Sequence, residues 1–418
     1  MASIFSIAED YKRVEGPIRN SIASEFFIQM VNATFMNILP LYMSREGFLD
    51  SEIALFITLR FIGVFVLAIP LGKFIKGKKV GKLFFLSNLF VPLFGLAIVI
   101  SIGLKIKMLT VISLILWGAS FTFMQVPILP YILRNCKKEN LTAAISLSYS
   151  TWSFGGIISG VVIALLDMIN PNLFNERMIL IIFSVAGFGG MYYLRRNNTF
   201  TEAVDASARQ GTVVAGTDWP TVIKALIPTL IIATGAGLTI PFISLFFEKV
   251  HQVHKGGFSV LSSVASFLVA YLALLVPRVK EKIGYNIAIP TTQSLAVISL
   301  VALATTQLYN QYSIAVGIAS VCYLLRQPLM NMAGPMTSEV VLGYVGKRNR
   351  EITSALTSAI WSSSWVISGF MVTVFLSYQV SFANIFLITS VLYTFGVIMY
   401  YLLILDYTKK EEQGLIES

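Results

Sequence analysis

Twelve apolar stretches follow one another along the chain, separated by polar breaks. They run over 20–43, 52–71, 83–104, 108–133, 142–166, 178–194, 220–247, 259–276, 287–308, 313–341, 352–376 and 382–405. A helix of about 20 apolar residues crosses the hydrocarbon core of a bilayer. The pattern therefore predicts an all-α membrane protein with twelve transmembrane helices. Prolines at 92, 127, 130, 228, 241, 328 and 335 fall inside some of the stretches. Membrane helices tolerate them because neighbouring side chains and water satisfy the freed carbonyls. The longest break, Arg195 to Trp219, divides the stretches six and six. It is polar, rich in Ala, Thr and Gly, and lacks apolar periodicity, which is the pattern of a linker. The expected organisation is a six-helix bundle over 1–194, a linker over 195–219 and a second six-helix bundle over 220–418 with a short tail.

Polar residues interrupt these stretches at helical spacing. In the tenth, Tyr323, Gln327, Met330, Asn331 and Gly334 fall on one side of a helix, and Arg326 projects beside them. In the first, Glu25, Gln29 and Asn32 stand at i, i+4 and i+7. Arg60 is set well inside the second stretch. A charged side chain facing lipid at the bilayer centre costs about 2.5–3.5 kcal/mol, so both arginines must face protein or a water-filled cavity. One reading makes them ligands for an anionic group, which suits the forked guanidinium. The other has them neutralised by Glu25 or by helix carbonyls, as assembly contacts. For Arg326 the polar and aromatic neighbours favour the cavity; for Arg60 both readings stand. Glu25 is the candidate proton carrier, with helix packing as the plainer alternative. Trp117 and Gln125 in the fourth stretch and Trp361 in the eleventh are weaker candidates for the lining of a binding site.

Composition narrows the class. The chain is 56% hydrophobic and 12% charged, with a mean hydropathy of +0.76, whereas soluble domains are about 25% charged. The net charge of +10 does not point to nucleic acid, because no basic cluster with interleaved aromatics exists. It is a topology signal instead. Of the 31 Lys and Arg, 22 lie in the tails and in alternate loops that share one side, 6 lie in the opposite loops, and Arg60, Lys224 and Arg326 lie within the helices. That bias predicts both termini in the cytoplasm, and a cell-membrane location with lipid as a standing partner. Two cysteines and two histidines offer no metal-ligand spacing, and no Gly-rich phosphate loop is present, so no cofactor is expected. No nucleophile–base pair or paired carboxylates stand at helical spacing, which argues against an enzyme. The first nineteen residues mix acids and bases without an apolar run, so no cleaved leader is expected.

The two halves repeat. LSYSTWSFGGIISG from Leu147 aligns with LTSAIWSSSWVISG from Leu356, a shift of 209 residues that sets Trp152 on Trp361, Ser159 on Ser368 and Gly160 on Gly369. An even number of helices separates like elements, so the repeats share one orientation about an axis along the membrane normal. With these features the chain resembles the major facilitator superfamily over essentially its whole length. The family often carries G-x-x-x-D-R-x-G-R-R between its second and third helices. Here that loop reads GKFIKGKKVGK from Gly72, with Lys76 where the acid would be, whereas the second-half loop PRVKEKIGYN from Pro277 keeps Glu281, Lys282 and Gly284 in place. The resemblance implies two pseudo-symmetric six-helix bundles, a gating role for Glu281, Lys282 and Gly284, and a central cavity bordered by the fourth and tenth helices. It implies a secondary transporter that moves a small solute by alternating access, driven by a solute or ion gradient; where the ion is a proton, Glu25 on its polar helix face is the candidate carrier. The buried arginines favour an organic anion. The arginine and Gly-Pro pair usual in the drug-antiporter branch are missing from the fourth and fifth helices. A multidrug exporter or lysolipid flippase on the same scaffold is the first alternative, and a non-transporting receptor or scaffold the second.

Overall fold

The computed structural model describes residues 14–75, 78–137, 140–197, 202 and 218–413. Among them the regular elements are all helical: α1 (Gly16–Arg45), α2 (Asp50–Ile75), α3 (Gly81–Gly103), α4 (Lys107–Gln125), α5 (Ile128–Asn135), α6 (Leu141–Ile169), α7 (Glu176–Gly187), α8 (Gly189–Arg195), α9 (Trp219–Thr239), α10 (Ile243–His251), α11 (Lys255–Thr305), α12 (Ile314–Tyr344), α13 (Gly346–Ser377) and α14 (Phe382–Glu412). Eleven helical stretches among the described residues are long and apolar enough to cross a membrane. The remaining long helix, α12, has 31 residues. It falls outside that set because Arg326, Gln327 and Asn331 lower its hydropathy, as the polar stripe in the sequence requires. Together these helices make the twelve-span fold.

The spans depart from straight helices where the chemistry demands it. The fourth apolar stretch is two helices, α4 and α5, because Pro127 and Pro130 lack an N–H and disfavour helix in the residue before them. The seventh is α9, a 3₁₀ turn at Ile240–Phe242 around Pro241, and α10. The break expected between the eighth and ninth spans is almost absent. The backbone stays helical from Lys255 to Thr305 except at Gly284, where φ is 69° and ψ 170°. That combination is open essentially to glycine alone.

The described residues divide into two compact units. One takes its residues from Met1–Phe48, Leu59–Gly211 and Lys255–Ser263, the other from Leu49–Thr58, Thr212–His254 and Val264–Ser418. The boundaries cut through α2 and α11. The first turns of each of these helices belong to a different unit from the rest of the helix.

Within the first unit, glycines set how closely the helices cross. A Cβ on Gly118 would lie 2.0 Å from the Arg60 carbonyl oxygen, and one on Gly63 would lie 2.0 Å from that of Ile115. Lipid gives helices no hydrophobic reason to associate, so close backbone approach through small residues supplies the packing energy. This crossing of α2 on α4 carries Arg60 to its neighbours. Gly118→Ala must force the two backbones apart and is expected to lower stability by about 1–3 kcal/mol. Gly72→Ala is the control, because a Cβ there meets nothing within 4 Å. Thermal melting of the two variants in the same detergent is the measurement; equal melting points would refute this view of the crossing.

Candidate functional site

Each unit contains its own buried polar cluster. In the first unit the cluster is built on α1, α2, α4 and α6. Arg60 is 5% exposed. Its Nη2 donates to Asn32 Oδ1 at 2.8 Å, and its guanidinium carbon lies 4.5 Å from the ring centroid of Trp117 and 5.1 Å from that of Phe61. Trp117 is fully buried and stacks on Phe35 at 5.8 Å and on Phe121 at 5.5 Å. The cation therefore rests on an aromatic face, where attraction to the ring's quadrupole replaces part of its lost hydration. No carboxylate among the described residues pairs with Arg60. Arg60 Nε and Trp117 Nε1 are both buried donors without an acceptor.

Glu25 sits on the same helix as Asn32, buried, and accepts a hydrogen bond from Ser148 Oγ on α6 at 2.7 Å. Gly155 permits that approach, since a Cβ on it would lie 3.0 Å from the Gln29 backbone. Gln29 is buried with Oε1 unpartnered, and Gln125 Nε2, at the end of α4, is a buried donor without an acceptor. Glu25 and Arg60 do not form an ion pair, so one expected means of neutralising the arginine is not used.

In the second unit Arg326 is 1% exposed. Its Nη2 donates to Tyr393 Oη at 2.8 Å and its Nη1 to Gln327 Oε1 at 2.8 Å, while Nε is buried without an acceptor. Gly235 on α9 makes room for the tyrosine, because a Cβ there would lie 2.6 Å from the Tyr393 ring. Tyr323 is buried with its ring 5.8 Å from that of Phe247. The stripe expected on α12 is graded along the helix: Tyr323 is buried, Gln327 half-buried and Asn331 exposed. Asn331 donates to the Gln327 carbonyl one turn back. Trp361 on α13 is 39% exposed and stands apart from the buried set.

Of the gating candidates, Gly284 is the helix break described above and Lys282 is exposed. The Glu281 side chain, like Lys76 in the first-half loop, lies outside the described residues. Two partners were not singled out from sequence, Ser148 and Tyr393. Tyr393 had a signal. It repeats with Tyr400 and Tyr407 at seven-residue spacing on one face of α14. Tyr400 Oη shares a hydrogen bond with Thr229 Oγ1 at 2.8 Å, so two rungs of this column bond to neighbouring helices.

Comparison with known proteins closes the family question. Among curated proteins none matches the chain by sequence. The structure is similar to a transporter of the POT family solved with 5-aminolevulinic acid (TM-score 0.72, 13% identity, covering 94% of this chain and 96% of that one). It is also similar to a D-xylose–proton symporter (0.70, 11%, 91% and 95%). A third similar structure is a bacterial homologue of the iron transporter ferroportin in an inward-facing state (0.69, 12%, 91% and 98%). At such identities the likeness is one of fold. The sequence model of the Major Facilitator Superfamily matches residues 22–369. With most of its length covered by that match, the chain belongs to the Major Facilitator Superfamily, as a multi-pass membrane transporter rather than an enzyme.

Proposed function

We propose that this transporter carries a small organic anion, with Arg60 as the principal contact for the anionic group. The observation behind this is a buried guanidinium with no carboxylate partner among the described residues, resting on Trp117, with donors at Arg60 Nε and Trp117 Nε1 that find no acceptor among those residues. Buried donors without acceptors are costly. Arg60 Nε and Trp117 Nε1, two donors on a cation and the ring beneath it, are completed by an oxyanion, with the apolar part of the solute against the aromatic face. Gln29, Asn32 and Gln125 are proposed as further contacts in the first unit, and Tyr323, Arg326 (through its Nε), Gln327, Asn331 and Trp361 as candidate contacts in the second. Transport follows alternating access, and the proposed bundles are 1–194 and 220–418, joined by the linker 195–219. The bias of Lys and Arg supports a cytoplasmic position for both termini in the cell membrane. Glu281, Lys282 and Gly284 are proposed as gating residues on the family motif. Neighbours of this fold carry peptides, a sugar, nucleosides or metals, so the substrate is decided by the site.

A thermal-shift screen of the purified protein followed by counterflow in proteoliposomes tests the proposal. The panel holds small mono- and dicarboxylates, organic phosphates, neutral sugars, lysolipids and lipophilic cations. Saturable stabilisation and exchange confined to anions is the expected outcome. A response to sugars, lysolipids or cations alone overturns it.

Coupling is proposed to run through Glu25, the carboxylate buried beside Ser148. Membrane carboxylates held away from cations commonly carry protons. Glu25→Gln keeps the shape and removes the titration. Uphill accumulation is expected to stop while substrate exchange continues. Accumulation in the variant that still follows the pH gradient would reduce Glu25 to a packing residue.

A further inference from the structure

Among the described residues, hydrogen bonds join four connections at one end of the first unit. These are the approach to α1, the turn from α2 to α3, the turn from α5 to α6, and the chain leaving α8. At the other end of α6 charges meet side chain to side chain, with Lys255 Nζ 2.9 Å from Asp167 Oδ1 and 3.5 Å from Glu176 Oε1. At this end carboxylates take backbone N–H groups instead. Glu202, in the stretch expected as linker, accepts from Val80 N with Oε2 and from Gly81 N with Oε1, each at 2.7 Å. These amides open α3 and have no acceptor inside the helix, so a carboxylate suits their positive end. The missing side chain of Gly81 leaves the room, since a Cβ there would lie 2.4 Å from Glu202 Oε1. The loop that Glu202 reaches is the one with Lys76 in the place of the motif's acid. It carries Lys78, Lys79 and Lys82 and no carboxylate of its own.

The contacts run on around this end of the unit until they return to their start. Arg134 Nη1 donates to the Lys78 carbonyl at 2.9 Å. Just beyond Arg134, Cys136 Sγ donates to Glu15 Oε2 at 3.3 Å, and Lys137 N and Asn140 Nδ2 donate to Glu15 Oε1 at 3.2 and 3.1 Å. Glu15 directly precedes α1 but makes no side-chain cap to it. Its carboxylate holds the α5–α6 turn. Asn197 Nδ2 donates to the Pro17 carbonyl at 2.8 Å and to Ser21 Oγ at 3.3 Å, and Asn20 Nδ2 donates to Asn197 Oδ1 at 2.9 Å. Asn197 follows α8, and from it the chain leads to Glu202, which closes the ring. One turn further in, the buried rings of Phe84 and Tyr131 meet edge to face at 5.2 Å.

We propose that Glu202 is a clasp supplied from the linker: its carboxylate replaces the acid that the 72–82 loop lacks, closes the ring, and through it steadies the α5–α6 turn. A single hydrogen bond in such a place is worth little. A closed ring gives its members a common fate, because each bond fixes the backbone that the next one uses. Glu202 stands farther along the chain from a described helix than any other member. Its place therefore depends on its own two bonds, and it is the link whose release opens the ring. The clasp lies wholly within the first unit and does not depend on what is transported, so its failure is distinct from failure of the anion reading.

Cys136 reports the far side of the ring. Burial and the Glu15 carboxylate push its thiol up to about 11, and the thiolate is the form that reacts with a maleimide. The parent is the full chain with Cys322→Ser, in nanodiscs without substrate. Glu202→Gln removes the charge and one of the two acceptors. It is expected to raise hydrogen exchange at Val80 and Gly81 about tenfold and the Cys136 labelling rate about threefold or more. Glu202→Asp keeps the charge on a shorter stem and should fall between. Coupling of this kind is reciprocal, so Glu15→Gln should raise exchange at Val80 and Gly81 as well as labelling of Cys136. Parent-like exchange at Val80 and Gly81 in Glu202→Gln overturns the clasp. So does raised exchange there with an unchanged Cys136 rate, because Glu202 would then be a local cap and no ring would exist. Should Glu202→Gln fail to fold, Arg134→Met opens the ring at another link. Both readouts are expected to rise in it, and parent values overturn the proposal.

Discussion

Arg60→Met is expected to abolish anion binding while leaving the melting temperature of the protein where it was or higher. Breaking a desolvated pair between a guanidinium and an anion costs on the order of 2–5 kcal/mol, a loss of roughly thirtyfold to several-thousandfold in affinity. Stability moves differently, because Arg60 is buried with no carboxylate partner among the described residues. Removing it orphans Asn32 Oδ1, at about 1–3 kcal/mol. Removing it also relieves the several kcal/mol that burying a lone cation costs. A residue kept against its own stability is characteristic of a binding site. Arg60→Lys keeps the charge and loses the fork, so its affinity should fall between the two. The decisive comparison is ligand affinity beside melting temperature for the three proteins. A parallel fall of both would make Arg60 an assembly contact.

Arg326 should respond in the opposite way, because its guanidinium is tied to the helix beside it. Tyr393→Phe removes one of its two hydrogen-bond acceptors and is expected to cost about 1.5–3 kcal/mol, the range for a hydrogen bond to a charged group. The double variant Arg326→Met with Tyr393→Phe should be more stable than Tyr393→Phe alone, since an unmatched buried cation is worse than an apolar pair of similar volume. Melting of the two single variants and the double variant closes this cycle. Additive losses would show that the two side chains do not act together. Anions that stabilise Tyr393→Phe more than wild type would show that the freed guanidinium takes substrate.

The family and the twelve spans were legible because lipid imposes a simple rule: long apolar runs, cationic loops on one side and polar groups turned inward. The buried cations were legible for the same reason. Their partners were not. Arg326 and Trp117 are equivalent under the 209-residue shift, yet Trp117 carries Arg60 of its own unit, and Arg326 turns to Tyr393. Gly63 and Gly118 decide the first pairing by letting two backbones touch, and no single helix pattern says which glycines meet. Lys255, Asp167 and Glu176 were hidden differently. They sit at helix ends, where charges ordinarily meet water, and only the packed chain shows Lys255 and Glu176 buried beside a half-buried Asp167.

The tyrosine column on α14 bears on which insertions and deletions the chain can accept. Successive residues turn about 100° around a helix, so seven residues return to within about 20° of the starting direction. Tyr393 and Tyr400 can both reach their partners only while that count holds. One residue added or removed between them swings one ring a quarter-turn or more away from its partner. The stretch from Tyr393 to Tyr400 should therefore accept many apolar exchanges at its outward positions and no change of length.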